Sequence, residues 1–318
     1  MSVVMTGSIF SLVKGYVAVT DQDWFEYLQG RPDLDEVNFW QPGGRRLFDL
    51  VEVGAPFLFK LHWPDNYIVG GGFFAHASLL DARLAWEAFG AKNGAATFEE
   101  MCNRIERYRR GDVNPRREYT IGCVILRDPF FFPRIAWIPA PPDFKKETVQ
   151  GKTYDLSTGT GKALWEDVTA RLSGAGFDAV AAEGSPVLGV AALVKRRLGQ
   201  GTFRILITDS YERRCAVTKE RALPVLEAAH IRPISEGGDH RVENGLLLRS
   251  DIHVLFDRGY VTVTPDYRFR TSPRLKTDFD NGEHYRTFEG REISVPGRFD
   301  LRPSARLLEW HQDTVFRA

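Results

Sequence analysis

The run LEAAHIRPISEGGDHRVENGLLLRSDIHVLFDRG, Leu226 to Gly259, decides how the rest of the chain is read. Val225 to Ile231 is apolar with His230 near its end, which suits a short strand. Pro233 through Asp239, with Gly237-Gly238 inside, is a loop by composition. Leu246-Leu247-Leu248 is a second short strand. Ser250 then reads as a helix N-cap, Asp251 suits the first turn, and Gly259 is the stop. The order is strand, loop, strand, helix.

On that helix His253 and Asp257 are four residues apart, so their side chains share a face. An imidazole and a carboxylate at that spacing can hold one divalent cation. Leu255 and Phe256 are expected to face the core. His230, arriving from the strand, points at the same spot and can take a proton from water. Asn244 sits where the loop rejoins the second strand, and its amide can bond backbone across the loop. A lone His is usually an ordinary structural residue. Two His, an Asn and an Asp in one such frame are harder to read that way.

This pattern resembles the HNH, or ββα-metal, nucleases. The resemblance implies that His230 is the general base, Asn244 the middle Asn, and His253 the last His and a metal ligand. Asp257 matches a second ligand on the same helix. Many relatives carry Asp or His just before the base; here that position is Ala229. Metal binding is then expected to rest on His253, Asp257, water and phosphate, or to recruit Glu227. The expected cofactor is one divalent ion, Mg²⁺ first, with Mn²⁺, Co²⁺, Ni²⁺ or Zn²⁺ as alternatives.

The 318 residues suffice for two domains, and 42 Lys and Arg balance 42 Asp and Glu. Zero net charge argues against coating nucleic acid by bulk charge but leaves room for a local basic face. Arg197, Arg204 and Arg232 are the candidate phosphate contacts; a solvated face is the equal alternative. Cys102, Cys123 and Cys215 form no CxxC, so a four-Cys zinc site cannot be built from them. Three sparse Cys fit a reducing cytoplasm. No signal peptide is expected, because Lys14 interrupts the first apolar run, and no run approaches membrane-spanning length.

Upstream, Gly15 to Thr20, Asp35 to Trp40, Phe57 to Leu61 and Tyr119 to Leu126 read as strands. After the turn around Pro64-Asp65-Asn66, Tyr67-Ile68-Val69 reads as a further strand, and Gly70-Gly71-Gly72, leading to Phe73-Phe74, marks where backbone bends or a ligand comes close. Leu79 to Phe89 reads as a helix, and Thr97 caps another running to about Arg110. These make an α+β domain with a curved, mostly antiparallel sheet, a small open barrel. Most of its aromatics belong in the core. Asn38-Phe39-Trp40 and Trp63, at expected element ends, and Trp24 are the candidates to hold an extruded base. GYVAVTDQDWFEYL, VNFWQPGG and FLFKLHWPDNYIVGGGFF resemble the N-terminal domain of modification-dependent restriction endonucleases, and more distantly the PUA, EVE and ASCH barrels.

The expected layout is a PUA/EVE-like reader of modified bases at 1–145, a linker with connecting helices at 146–198, and an HNH nuclease at 199–318. Within the linker, Lys162 to Leu172 reads as a helix, and Gly174 to Gly189 as a connector. Ile205 to Arg213, and a last stretch near Leu307 to Phe316, also read as helices. The resemblance implies a restriction endonuclease acting on double-stranded DNA that carries a modified base, modified cytosine first. Cutting both strands with one site per chain favours a homodimer. Two alternatives stay open: an HNH nuclease that cuts unmodified DNA, and a nucleic-acid reader whose nuclease site is weak or inactive.

Overall fold

The computed structural model describes residues 14–31, 33–109, 114–174 and 198–318. The chain divides into two compact units, residues 1–196 and 197–318. Both mix helices with open sheets, an α+β architecture.

The first unit runs β1 (Lys14–Thr20), α1 (Gln22–Gln29), β2 (Glu36–Gln41), β3 (Pro56–Leu61), β4 (Tyr67–Asp81), α2 (Ala82–Phe89), α3 (Phe98–Arg109), β5 (Thr120–Phe131), β6 (Ile138–Pro139), β7 (Gly151–Asp155) and α4 (Gly159–Gly174). Its sheet has the order β2-β5-β4-β3-β1-β7, with β6 on β4. Among the described strands only β1 and β3 pair in parallel. Side chains alternate across a strand, so β1 and β3 feed two cores. Tyr16, Ala18, Phe57 and Phe59 pack with Trp24, Phe25 and Leu28 of α1. Val17 and Leu58 pack with Leu164, Trp165, Val168 and Leu172 of α4.

That second core corrects the expected linker. β7 hydrogen-bonds along β1, from Lys14 opposite Asp155 to Ala18 opposite Gly151, and α4 buries its apolar face. The sheet would otherwise expose that face, so residues 151–174 belong to the first unit. The expected connector beyond Gly174 lies outside the described residues.

At the triple glycine, β4 continues as one strand of 15 residues, with an irregularity in its register to β5 between Gly71 and Phe73. A Cβ on Gly70 would sit 2.3 Å from the Phe130 carbonyl oxygen, and one on Gly71 would sit 2.7 Å from that of Phe57. What comes close at these glycines is the backbone of neighbouring strands. As a result Leu79 and Leu80 are strand residues and the helix starts at Ala82, with the Asp81 carboxylate accepting from the Arg83 N–H at 2.8 Å.

The second unit runs α5 (Gln200–Ser210), β8 (Leu226–His230), β9 (Gly245–Arg249), α6 (Ser250–Asp257), β10 (Val261–Val263), β11 (Phe269–Thr271), α7 (Arg274–Phe279), α8 (Glu283–Arg286) and α9 (Ala305–Thr314). α5 begins five residues before the sequence suggests, because Phe203 and Ile207 on one face enter the core formed by Leu246, Ile252 and Phe256. β8 and β9 form an antiparallel hairpin from Leu226 opposite Arg249 to His230 opposite Gly245, and α6 follows at once. Arg249, not Ser250, is the residue flanking α6, and no side chain caps it there. Gly259 ends the helix at φ +72°, its N–H donating to the Phe256 carbonyl. A Cβ there would lie 2.0 Å from the Val315 carbonyl oxygen, so the turn also lets the chain after α9 pack closely.

Candidate functional site

The hairpin and α6 bring His230, Glu227, His253 and Asp257 into one small region of the second unit. His253 is partly buried on α6. Its Nδ1 is 2.6 Å from Glu227 Oε2, and its Nε2 is 3.4 Å from Asp257 Oδ2. The Nδ1 contact is short enough for a charge-assisted hydrogen bond. With the proton on Nδ1, Nε2 offers its lone pair beside the Asp257 carboxylate. Burial pushes the Asp257 carboxyl up, offset by His253 and reinforced by Glu227.

His230 lies at the end of β8, its ring stacked on Phe203 of α5 with centroids 4.0 Å apart and planes 10° from parallel. Its Nε2 is 3.0 Å from His240 Nδ1. Burial, with His240 and His253 adding to it, pushes the His230 imidazole down to about 4. The group is therefore neutral at ordinary pH, the state a proton acceptor needs.

Asn244 is fully buried and spans the loop. Its Oδ1 accepts from the Arg232 N–H at 2.9 Å, and its Nδ2 donates to the carbonyls of Arg232 at 3.0 Å and Asp239 at 2.8 Å. Its own carbonyl accepts from Ile231 N–H. These bonds fix the chain that follows His230.

Of the candidate phosphate contacts, Arg197 lies outside the described residues. Arg204 is on α5, half-buried. The Arg232 guanidinium donates to the Glu236 carbonyl at 2.6 Å and lies 5.1 Å from the Trp310 ring centre. The Arg232 Nε–H is thus used within its own loop.

Among the described residues, no group of three or more His, Cys, Asp or Glu converges as a metal cluster. The donors still fit a hard or borderline dication: one imidazole nitrogen and one carboxylate face each other, with a second carboxylate orienting the imidazole, an arrangement common around metal-ligating His. Cys215 is buried, its Sγ accepting from the N–H groups of Thr218 and Arg249, so it serves the core rather than a zinc site.

The first unit contains a cavity of about 860 Å³. Trp24, Phe39 and Trp40 line it together with Tyr16 and Phe48, and Arg45, Arg46 and Arg107 supply cationic groups. Asp21 also lines it, held by the Tyr108 hydroxyl and by His62 Nε2 at 3.2 Å. Two expected members are elsewhere. Asn38 is fully buried, donating to Asn93 Oδ1 at 2.8 Å. Trp63 is 58% exposed beneath the Lys146 ammonium. Trp40 is the penultimate residue of β2, opposite Cys123, and it is buried rather than free at that end, its indole N–H donating to the Asn93 carbonyl at 2.9 Å. The turn at Gly90–Asn93 covers this end of the strand, a contact that no local pattern shows. His240, Arg45 and Arg46 were not singled out by pattern. The two arginines follow a Gly-Gly turn directly after the aromatic strand, which is the signal that marks them.

The HNH endonuclease family model matches residues 215–264, which span β8, β9 and α6. The ASCH protein from Zymomonas mobilis is similar at 13% identity over 48% of this chain and 94% of its own, with a TM-score of 0.33. The modification-dependent TagI restriction endonuclease is similar at 14% identity over 90% of this chain and 77% of its own, with a TM-score of 0.27. None of the curated proteins matches.

Proposed function

We propose that this protein is a metal-dependent endonuclease that hydrolyses double-stranded DNA carrying a modified base. The observation that carries this reading is the placement of a neutral His230 beside the His253–Asp257 pair on one β-hairpin and helix, within the stretch that matches the HNH family.

In the proposed reaction His230 takes a proton from a water molecule. The water oxygen forms a bond to phosphorus, and the opposite P–O bond of the phosphodiester breaks. Asn244 holds the loop so that His230 keeps its direction. His253 Nε2 and Asp257 would hold one divalent ion, with Glu227 orienting His253 through Nδ1. Such an ion supplies positive charge to the phosphate and to the leaving oxygen. Mg²⁺ is the first candidate, although an imidazole–carboxylate pair also accepts Mn²⁺, Co²⁺, Ni²⁺ or Zn²⁺.

The first unit is proposed as the reader. Its cavity falls in the ~300–1,000 Å³ range of small-molecule sites, with aromatic walls suited to a base taken out of the stack. Modified cytosine is the first target to test. Cutting both strands would call for two copies of the chain.

The experiment compares cleavage of one duplex with and without modified bases, in added Mg²⁺ or Mn²⁺, beside His230→Ala. Cleavage of only the modified duplex, lost in the variant, is the expected result. Equal cleavage of both removes the reader role, and no cleavage of either with Mg²⁺, Mn²⁺, Co²⁺, Ni²⁺ or Zn²⁺ removes the nuclease.

A further inference from the structure

His240 lies in the loop between β8 and β9, half-buried, ten residues after His230. Its ring centre is 5.1 Å from that of His230 and 5.6 Å from that of Phe203. The 3.0 Å between His230 Nε2 and His240 Nδ1 is a hydrogen-bond distance, so one proton lies between two nitrogens. Two arrangements are open. If His240 donates, the remaining proton of neutral His230 sits on Nδ1 and no lone pair is left to face water. If His230 donates from Nε2, its Nδ1 is a free acceptor. A proton acceptor requires the second arrangement.

The loop presents His240 in a fixed place. The Asp239 carbonyl, one residue before it, accepts from Asn244 Nδ2. The Asp239 carboxylate is paired with Arg241, one residue after it, at 2.7 Å and accepts the Arg241 N–H at 3.1 Å. Arg241 in turn pairs with Glu243 at 2.7 Å. His240 is thus bracketed by tethered residues on both sides. On its other face His230 meets Phe203, which offers no acceptor for the Nε2 proton.

We propose that His240 is a positioning residue: its Nδ1 accepts the Nε2–H of His230 and holds His230 in the tautomer whose Nδ1 is open to take a proton from water. This rests on the reading of His230 as the base. It places in a side chain of this loop the orienting role that a carboxylate or carbonyl plays beside many working histidines.

The test uses the full chain and three variants, His240→Leu, His240→Asn and His230→Ala, with cleavage rate, metal-free DNA affinity and thermal midpoint measured for each. The Asn side-chain oxygen stands where Nδ1 stood and still accepts. The expected result is His240→Leu cutting about 10–100-fold slower at unchanged affinity and midpoint, the usual loss when such a partner is removed, and His240→Asn recovering most of the rate. Nitrogen-15 NMR of the parent's histidine rings should place the His230 proton on Nε2. Parental cutting by His240→Leu beside an inactive His230→Ala overturns the proposal alone. So do equal losses in the Leu and Asn variants, a loss that appears in DNA affinity, or a His230 proton found on Nδ1. Parental cutting by His230→Ala overturns the base assignment itself, and the proposal with it.

Discussion

Acidification should destabilise the second unit through His311, and the structure sets the size of the effect. His311 lies on α9, 2% exposed, with its ring stacked on Phe256 at 3.7 Å between centroids. Its Nε2 is 3.1 Å from the Phe256 carbonyl oxygen and its Nδ1 is 2.9 Å from Thr262 Oγ1. The first contact requires the proton on Nε2, so Nδ1 accepts from the hydroxyl. Burial pushes the imidazole down to about 4, only partly opposed by the Phe256 carbonyl. The unfolded chain therefore binds this proton first, near pH 6.5. Stability is complete above that pH and is lost as pH falls toward 4. A shift of two and a half units at about 1.4 kcal/mol each amounts to roughly 3 kcal/mol at pH 4. Urea unfolding at pH 7 and pH 4 measures it, with His311→Gln as the non-titrating reference. The parent should lose roughly 3 kcal/mol more than the variant over that interval. Equal losses, or an NMR titration of His311 near 6.5, would refute the reasoning. The consequence reaches the candidate site, because Phe256 is the residue beside Asp257 on α6.

His230→Ala should keep DNA binding and lose roughly 10²–10⁴-fold in cleavage, and the parent's acid limb, measured at saturating metal, should lie below the pH 6.5 expected from sequence; a limb at 6.5 would mean that His230 is not held in the apolar setting of Phe203. Chelator should stop cleavage, and Asp257→Ala should raise the metal concentration needed to restore it; a parental metal titration removes Asp257 from the ligand set. Trp40→Ala should cost about 3–5 kcal/mol of stability, because the indole is packed within β2 and bonded to Asn93. A thermal melt beside binding to modified and unmodified duplexes checks this, and an unchanged melt with selective loss of modified-DNA binding would return Trp40 to a purely stacking role.

The order strand, loop, strand, helix around His230, Asn244 and His253 could be read from sequence because every signal in it is local. Short strands rich in apolar residues, a Gly-Gly loop and the i, i+4 spacing on one helix need no knowledge of distant residues. The apolar face of Leu164, Trp165, Val168 and Leu172 was equally legible, since helical period is a local property. What that face packs against was not. Only the tertiary structure shows β7 pairing with β1 and α4 covering the sheet, and so where the first unit ends. The same holds for the paired functions of single side chains. Glu227 meets His253 across 26 residues of sequence, and Trp40 meets Asn93 across 53. His240 meets His230 only because Asn244 draws the intervening loop back on itself. The sequence by itself determined the element types and the residue chemistry of the hairpin and helix. The partners, the burial that drives His230 toward pH 4, and the cavity behind Trp40 come from contacts between residues far apart in the chain, which no local pattern encodes.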